Sequence, residues 1–379
     1  MKTMKFALGA LLSLLLVFTA CKKENLQDNG NILPAKFKVD VPATISSDAN
    51  AKLALNEDDD TIMGPSVYRH LRLFIHVGDH AGDLVQDIIN TIRKYDLSRE
   101  MSFSFTSDED NRVKNVTIVA NQQFENKTWE YKMTVTDAEN EQNDDGGLAM
   151  EIYWNTNPVE GIAIIKFSNW NVNSADEFPN TMYRVEYSEN PDNTMGYDEI
   201  MRVQISDLPL DSTDRFTMDN LMMFVGRKGD RVDVYGNSDH PYAWLLIPDN
   251  PGLDWAFVAS AYDSKNIGVA EVGLPPNTLN TTQRSVILGQ YALKNVLYNQ
   301  IREWAYRRFH FYPDSASLSQ YLKNADAPGM FDANGFVQGG GTPPSDDYNA
   351  LIDAIQDLTP YNPYDVATLH VTFGAQASK

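Results

Sequence analysis

A single cysteine, Cys21, is all that 379 residues contain. No intramolecular disulfide can form, so the fold must be held by buried apolar surface. Cations are also scarce, with 31 Lys and Arg against 52 Asp and Glu, a net charge of −21. A surface of that sign repels phosphate backbones and excludes nucleic acid as a natural partner. Taken over the whole chain, it also argues against electrostatic attachment to anionic lipid. No apolar run reaches the roughly 20 residues that cross a bilayer. Histidines number only six. The patterns GxSxG, HExxH, GxGxxG and GxxxxGK[ST] are all missing. Their absence shifts the expectation toward a non-catalytic protein, and no catalytic residue is nominated. No repeat of fixed period runs through the chain, which disfavours propellers and solenoids.

What is present begins at the amino end. MKTMKF carries Lys2 and Lys5, and residues 7–17 are almost wholly apolar. A short basic segment, an apolar stretch of this length and small residues at its exit make a secretory signal. Phe18-Thr19-Ala20-Cys21 resembles the lipobox of bacterial lipoproteins, over residues 1–24 only. The position three before the cysteine, usually Leu, Val or Ile, is Phe18 here and keeps its apolar character. The resemblance implies that residues 1–20 are a signal peptide and that Cys21 is acylated, palmitate among its chains. It implies no other cofactor, and it places the protein in the cell outer membrane as a lipid-anchored molecule. Stable anchoring takes more than one acyl chain, which lipoprotein processing supplies. In some Gram-negative lineages charged residues after the cysteine route a lipoprotein to the surface, and Lys22-Lys23-Glu24 partly fits. Residues 21–66 then read as a lipidated cysteine followed by a flexible polar tether, broken by Pro34, Pro42 and Pro65. Lys36–Val41 alternates and is a possible edge strand within it.

From residue 67 to 379 the chain reads as one β-rich folded region. MSFSFT (101–106) and WEYKMTV (129–135) alternate apolar and polar residues strictly, the mark of a half-buried strand. Comparable runs fall at 113–119, 148–154, 162–167, 182–187, 200–205, 218–225, 232–235, 243–247, 256–262 and 267–272, with turn-rich pieces between them. The expected class is mainly β with α: a large antiparallel meander, curved or folded as a sandwich or half-barrel, packed by a long carboxy-terminal helix. A division near residues 190–196 into two β-domains is the competing arrangement. Helices are expected at 83–95 and at 282–309, where Val286, Leu293, Leu297, Ile301, Trp304 and Ala305 form one apolar stripe. A third is expected at 346–358, so that about 282–358 is helical, and ATLHVTF (367–373) reads as a last strand.

Two clusters carry candidate chemistry. Residues 70–83 hold His70, His76, Asp79, His80 and Asp83, a mixture that suits zinc or a similar ion. With 69–77 as a strand, His70, Arg72, Phe74 and His76 share one face, although the spacing matches no fixed zinc pattern. The simpler reading is a solvated strand face followed by an aspartate helix cap. The acidic loop 136–147 misses the ligand register of a calcium-binding hand and reads as a solvated hairpin loop. Aromatics are plentiful, with 18 Tyr, 17 Phe and 6 Trp. Trp154 and Trp170 stand beside amides, and Tyr242 and Trp244 follow His240, so these four are the candidate ring-stacking residues for a glycan. A large β-core would absorb many such rings without any ligand.

The expectation is therefore a cell-envelope lipoprotein with a β-rich domain that binds a glycan, an apolar small molecule or an envelope protein. An extracellular hydrolase of polymeric substrate, or a structural or adhesive surface protein, are the alternatives.

Overall fold

The computed structural model describes residues 32–47, 64–95, 97, 100–191, 194–214 and 216–374. The signal segment, Cys21 and residues 22–31 and 48–63 lie outside the described residues. Thirteen antiparallel strands follow one another in chain order in a single meander sheet. They are β1 (Met101–Thr106), β2 (Val113–Phe124), β3 (Lys127–Asp137), β4 (Leu148–Thr156), β5 (Val159–Lys166), β6 (Met182–Glu189), β7 (Glu199–Ser206), β8 (Leu221–Lys228), β9 (Arg231–His240), β10 (Leu253–Tyr262), β11 (Ile267–Gly273), β12 (Gly329–Asp332) and β13 (Gly335–Gly339). The helices are α1 (Gly64–Arg93), the single turn α2 (Phe167–Trp170), α3 (Leu293–Phe309), α4 (Ser315–Tyr321), α5 (Asp347–Gln356) and α6 (Pro363–Ala367). The protein is thus mainly β with α, an antiparallel meander with helices added.

Contacts along the chain group into two units. The first holds β1–β7 with residues 32–39, 80–209 and 370–374; the second holds β8–β13 with residues 40–79 and 210–369.

In the first unit β1–β3 largely keep the alternation seen in the sequence, while β4 is buried without a break from Ala149 to Trp154 and β5 from Gly161 to Ile165. Met150, Ile152 and Trp154 of β4 stand opposite Ile165, Ala163 and Gly161 of β5, and these opposite Tyr183, Val185 and Tyr187 of β6. This face is buried. Leu33, Phe37 and Val39 are buried with it, so that part of the stretch expected to be tether is core instead. Phe37 reaches Gly161 so closely that a Cβ there would lie 2.6 Å from its ring. Lys36–Val41 is buried at alternate positions but joins no strand; the Phe37 amide donates to Gln86 Oε1 at 2.7 Å instead.

The second unit buries its strands more completely. Every residue from Asp254 to Ala261 in β10 is buried. One reason is α5, whose Tyr348, Leu351 and Ile355 pack with Ala256, Val258, Val269, Ile287 and Met330. Strands covered on both faces read as continuous apolar runs rather than alternating ones, which is how WAFVASA reads.

Several expected elements differ. Residues 69–77 are helix, not strand, because α1 starts at Gly64 and runs on to Arg93. Its buried positions Val67, Leu71, Phe74, Val77, Ala81, Leu84, Ile88 and Ile92 recur every three or four residues. The period-two pattern of 70–77 is a local coincidence inside that longer repeat. Gly78 and Gly82 stay helical because each lets the helix approach a sheet methionine. A Cβ at Gly78 would lie 2.8 Å from Met223 Sδ, and one at Gly82 2.9 Å from Met201 Sδ.

The expected helix 282–309 is interrupted. Residues Ser285–Gln290 form a wider turn, the chain extends at Ala292, and α3 begins at Leu293. The Leu274 amide takes the Tyr291 carbonyl at 2.9 Å and Gly273 bridges to Ala292, so the end of β11 captures backbone that a continuous helix would use. Residues 243–247 form no strand, because a turn closes with Ala243 N donating to His240 O at 3.0 Å. ATLHVTF is not a strand either: α6 ends at Ala367, and Val371 N donates to Ser206 Oγ at 3.1 Å rather than to a ladder. Strands β12 and β13 are short and rich in glycine, and periodicity does not reveal them.

Candidate ligand-binding groove

The β2–β3 hairpin positions a groove in the first unit. Its turn residues Glu125 and Asn126 both take positive φ, 49° and 61°, as a two-residue hairpin with the twist of its strands requires. Asn121, also left-handed at φ 53°, interrupts β2 before the tip. The tip then reaches across β4 to β6. The Phe124 ring stacks on Tyr153 of β4, with centroids 4.1 Å apart and planes 13° apart. Arg184 of β6 donates through both terminal nitrogens to the Glu125 carboxylate, each at 2.8 Å. Its Nε donates to Glu186 at 2.9 Å, and the guanidinium lies 5.9 Å from the Phe124 ring. A forked guanidinium held by two carboxylates and a ring is a rigid donor plane.

Beside it, Lys132 of β3 stands opposite Tyr153. Its ammonium pairs with Glu151 at 2.5 Å and lies 5.1 Å from the Tyr153 ring centroid. The Tyr153 hydroxyl donates to the second Glu151 oxygen at 3.2 Å. Burial pulls the Lys132 ammonium down, yet Glu151 and Tyr153 outweigh it and hold the group above its usual range. Arg184 behaves alike: burial lowers it, and Glu125 and Glu186 more than restore it. Burial raises Tyr153. These groups, with the exposed Gln123 and Asn126, line a groove of about 990 Å³. A smaller hollow of about 250 Å³ shares Phe124, Glu125 and Glu186 with it and is floored by Trp129. Lys127 sits over that indole at 4.3 Å.

The four nominated rings are placed elsewhere. Trp154 is fully buried, its Nε1 donating to the Ile32 carbonyl at 2.8 Å, with Tyr131 stacked on it at 5.3 Å. Trp170 is buried in α2. Tyr242 is exposed and Trp244 half-buried in the second unit, past the end of β9. The four do not line the groove. Sequence reasoning passed over its neighbour Tyr153, although the alternation of β4 that turns Trp154 inward turns Tyr153 outward. Lys132, Arg184 and Glu186 are likewise the polar partners in alternating strands, a pattern that reads as solvated surface until the hairpin folds over it.

The histidine cluster lies along α1. His70 is buried, with Nδ1 donating to the Ser66 carbonyl at 2.8 Å, and its ring meets Phe216 at 5.2 Å and Trp255 at 5.9 Å. His76 Nδ1 is 3.4 Å from Ser46 Oγ, and His80 Nδ1 is 3.8 Å from Asp83. With 3.6 residues per turn, His76, Asp79 and His80 share one side of the helix and His70 faces another way. Among the described residues no group of three or more His, Cys, Asp or Glu is placed to hold a metal ion, and no helix is long and apolar enough to cross a membrane.

A second concentration of titratable groups is sealed inside the other unit. Asp239 of β9 and Asp254 of β10 stand directly opposite each other. Asn277 Nδ2 donates to Asp239 at 2.9 Å, and Asn237 Nδ2 donates to Asp254 Oδ1 at 2.7 Å; Asp254 Oδ2 is buried without a partner among the described residues. Burial, helped by Asp219, pushes Asp239 up to about 6. Burial and the neighbouring Asp239 raise Asp254 well above the usual carboxylate range. On the opposite face His240 accepts from or donates to Ser238 Oγ at 2.8 Å and bonds the Phe216 carbonyl at 3.0 Å through Nδ1. Burial lowers it to about 4.

Scans of protein-family models, and searches of curated proteins and of solved structures, find no match to the chain.

Proposed function

We propose that the chain is a cell-envelope lipoprotein, acylated at Cys21 and held in the outer membrane, whose first unit binds a glycan in the groove under the β2–β3 hairpin. One observation carries the binding reading. Lys132, Glu151 and Tyr153 form one fixed polar cluster, and Arg184 and Glu186 another, beside the stacked Phe124 and Tyr153 rings, and both line a groove of about 990 Å³. Sugars present hydroxyls in many directions and apolar ring faces, so preset polar groups beside aromatic rings suit them. An apolar small molecule would desolvate these charges with nothing in return, which favours the glycan over the apolar ligand. The lipoprotein part rests on the residues Phe18 to Cys21 and the apolar run before them.

A glycan array probed with the full chain tests the first part. Lys132→Ala and the double variant Gln123→Ala/Asn126→Ala alter accessible groove positions, and each is expected to remove the signal that the wild-type chain gives. Wild-type and variants binding the same glycans equally would overturn the assignment. The second part is tested by fractionation: Cys21→Ser should release the protein from the acylated, detergent-partitioning pool, and unchanged partitioning would sink it.

A further inference from the structure

Helix α3 and the turn after it carry a surface rich in exposed aromatic rings. Of the large apolar side chains exposed among the described residues, seven fall between Tyr298 and Tyr321. The most open are Phe311 at 56%, Phe309 at 53% and Tyr312 at 53%, with Tyr306 at 44% and Trp304 at 40%. They form one patch, not scattered rings. Trp304 meets Phe309 edge-on at 5.7 Å, Phe309 lies 6.0 Å from Phe311, and Tyr306 stacks on Tyr312 at 4.8 Å. The buried side of α3 is a strict four-residue stripe of Leu293, Leu297, Ile301 and Ala305. Trp304, expected on that stripe, falls beside it and faces out. His310 ends the helix in the left-handed conformation, and that reversal brings Phe311 and Tyr312 back beside Phe309 and Tyr306.

Along the chain the charge of this segment is also reversed. In a chain of net charge −21, residues 293–312 hold four cations, Lys294, Arg302, Arg307 and Arg308, and one acid, Glu303. Arg307 is engaged by Glu303 and Asp249, and Lys294 by Asp326. Arg302 lies over Tyr312 at 4.7 Å and Tyr298 at 5.4 Å, which leaves its guanidinium edge for an anion. Arg308 is exposed and makes no ion pair among the described residues. Contiguous exposed apolar surface marks an interaction site. Phenylalanines at a tip, Trp and Tyr around them and arginines at the margin match the apolar, interfacial and phosphate levels of a bilayer in that order.

We propose that this patch docks on the headgroup layer of a bilayer containing anionic phospholipid. Phe309 and Phe311 enter its apolar edge, and Arg302 and Arg308 meet phosphates. The bilayer is the chosen occupant partly because the proposal rests on the Cys21 anchor. Ile32, already described, is eleven residues from Cys21, a span of at most roughly 40 Å, so an anchored chain tethers the first unit, and through the chain the unit that carries the patch, to the membrane.

The test uses the full chain carrying Cys21→Ser, so that no acyl group contributes. It is sedimented with vesicles of phosphatidylglycerol and phosphatidylcholine, and with vesicles of phosphatidylcholine alone. Binding is expected to the anionic vesicles and to weaken as salt rises. Adding Phe309→Ser/Phe311→Ser should lower partitioning roughly tenfold or more, from the apolar area no longer buried. Arg302→Gln/Arg308→Gln should lower it several-fold on anionic vesicles only. These side chains are exposed, so an unchanged melting curve will show that the variants are folded. No sedimentation with anionic vesicles overturns the proposal, as does binding indifferent to both double variants. Saturable capture of a polysaccharide or a protein through these residues, without vesicle binding, overturns it too. The Cys21 reading fails separately, through the fractionation of the wild-type chain.

Discussion

Replacing Asp239 with Asn should change how stability depends on pH, and by an amount that follows from its surroundings. Asp239 is 2% exposed, faces Asp254 across β9–β10 and is raised to about 6 from 3.8. Between pH 4 and 6 the folded chain therefore holds a proton here that the unfolded chain has lost. The stability this group contributes is fully present below about pH 4 and is lost as pH rises through 6. At about 1.4 kcal/mol per pH decade, the loss is about 3 kcal/mol. His240, the next residue, works in the opposite sense. It is lowered to about 4 from 6.5, so its contribution is present above about pH 6.5 and is lost as pH falls through 4, again about 3 kcal/mol. The two nearly cancel in the wild-type chain, which hides both. Asn keeps an oxygen for Asn277 Nδ2 and cannot titrate, so the difference between Asp239→Asn and wild-type isolates the carboxyl. Urea unfolding at pH 4, 5, 6 and 7, followed by tryptophan fluorescence, should show the variant gaining about 3 kcal/mol on wild-type from pH 4 to 7. Difference curves that stay flat within about 0.5 kcal/mol across that range would refute the reasoning.

Three further outcomes follow from packing. Trp154→Ala should destabilise the first unit by about 3–5 kcal/mol, since it empties a fully buried indole site and strands the Ile32 carbonyl. A denaturant titration checks it, and a loss under 1 kcal/mol would contradict the burial. Gly161→Ala should cost about 1–3 kcal/mol, because the new methyl would meet the Phe37 ring at 2.6 Å and the Tyr153 carbonyl at 2.7 Å; thermal unfolding reads it. Arg184→Met should free the hairpin tip by removing the fork to Glu125. Hydrogen exchange at residues 121–129 is expected to rise about tenfold or more, a loss of at least 1.4 kcal/mol of local protection.

Chain order and strand identity were legible because β1–β3 bury alternate residues over most of their length, as a half-buried strand must, and the apolar runs of β4–β7 are set off by turn residues. Consecutive strands with short turns then pair with their neighbours, which makes the meander. The groove was not legible, for the same reason that the strands were. Lys132, Tyr153, Arg184 and Glu186 occupy the outward positions, where a polar residue explains itself. Only the crossing of the β2–β3 tip turns them into a lined site, and that depends on positive φ at Asn121, Glu125 and Asn126. Helix α1 shows the opposite failure: Gly78 and Gly82 and a short alternating run suggested a strand and a turn, while packing against Met223 and Met201 selected a helix.

Local pattern thus settled the segments that form β1–β11, that they run antiparallel, and where the chain carries a lipobox-like cysteine, but it offered strands at 69–77, 243–247 and 367–373 that do not form and missed β12 and β13. Tertiary structure decided which aromatic rings are core and which are open, as with Trp154 and Phe309, because burial depends on what another element places above a residue. It also decided the state of Asp239, Asp254 and His240, since a side chain's affinity for a proton is set by the water that folding removes from around it.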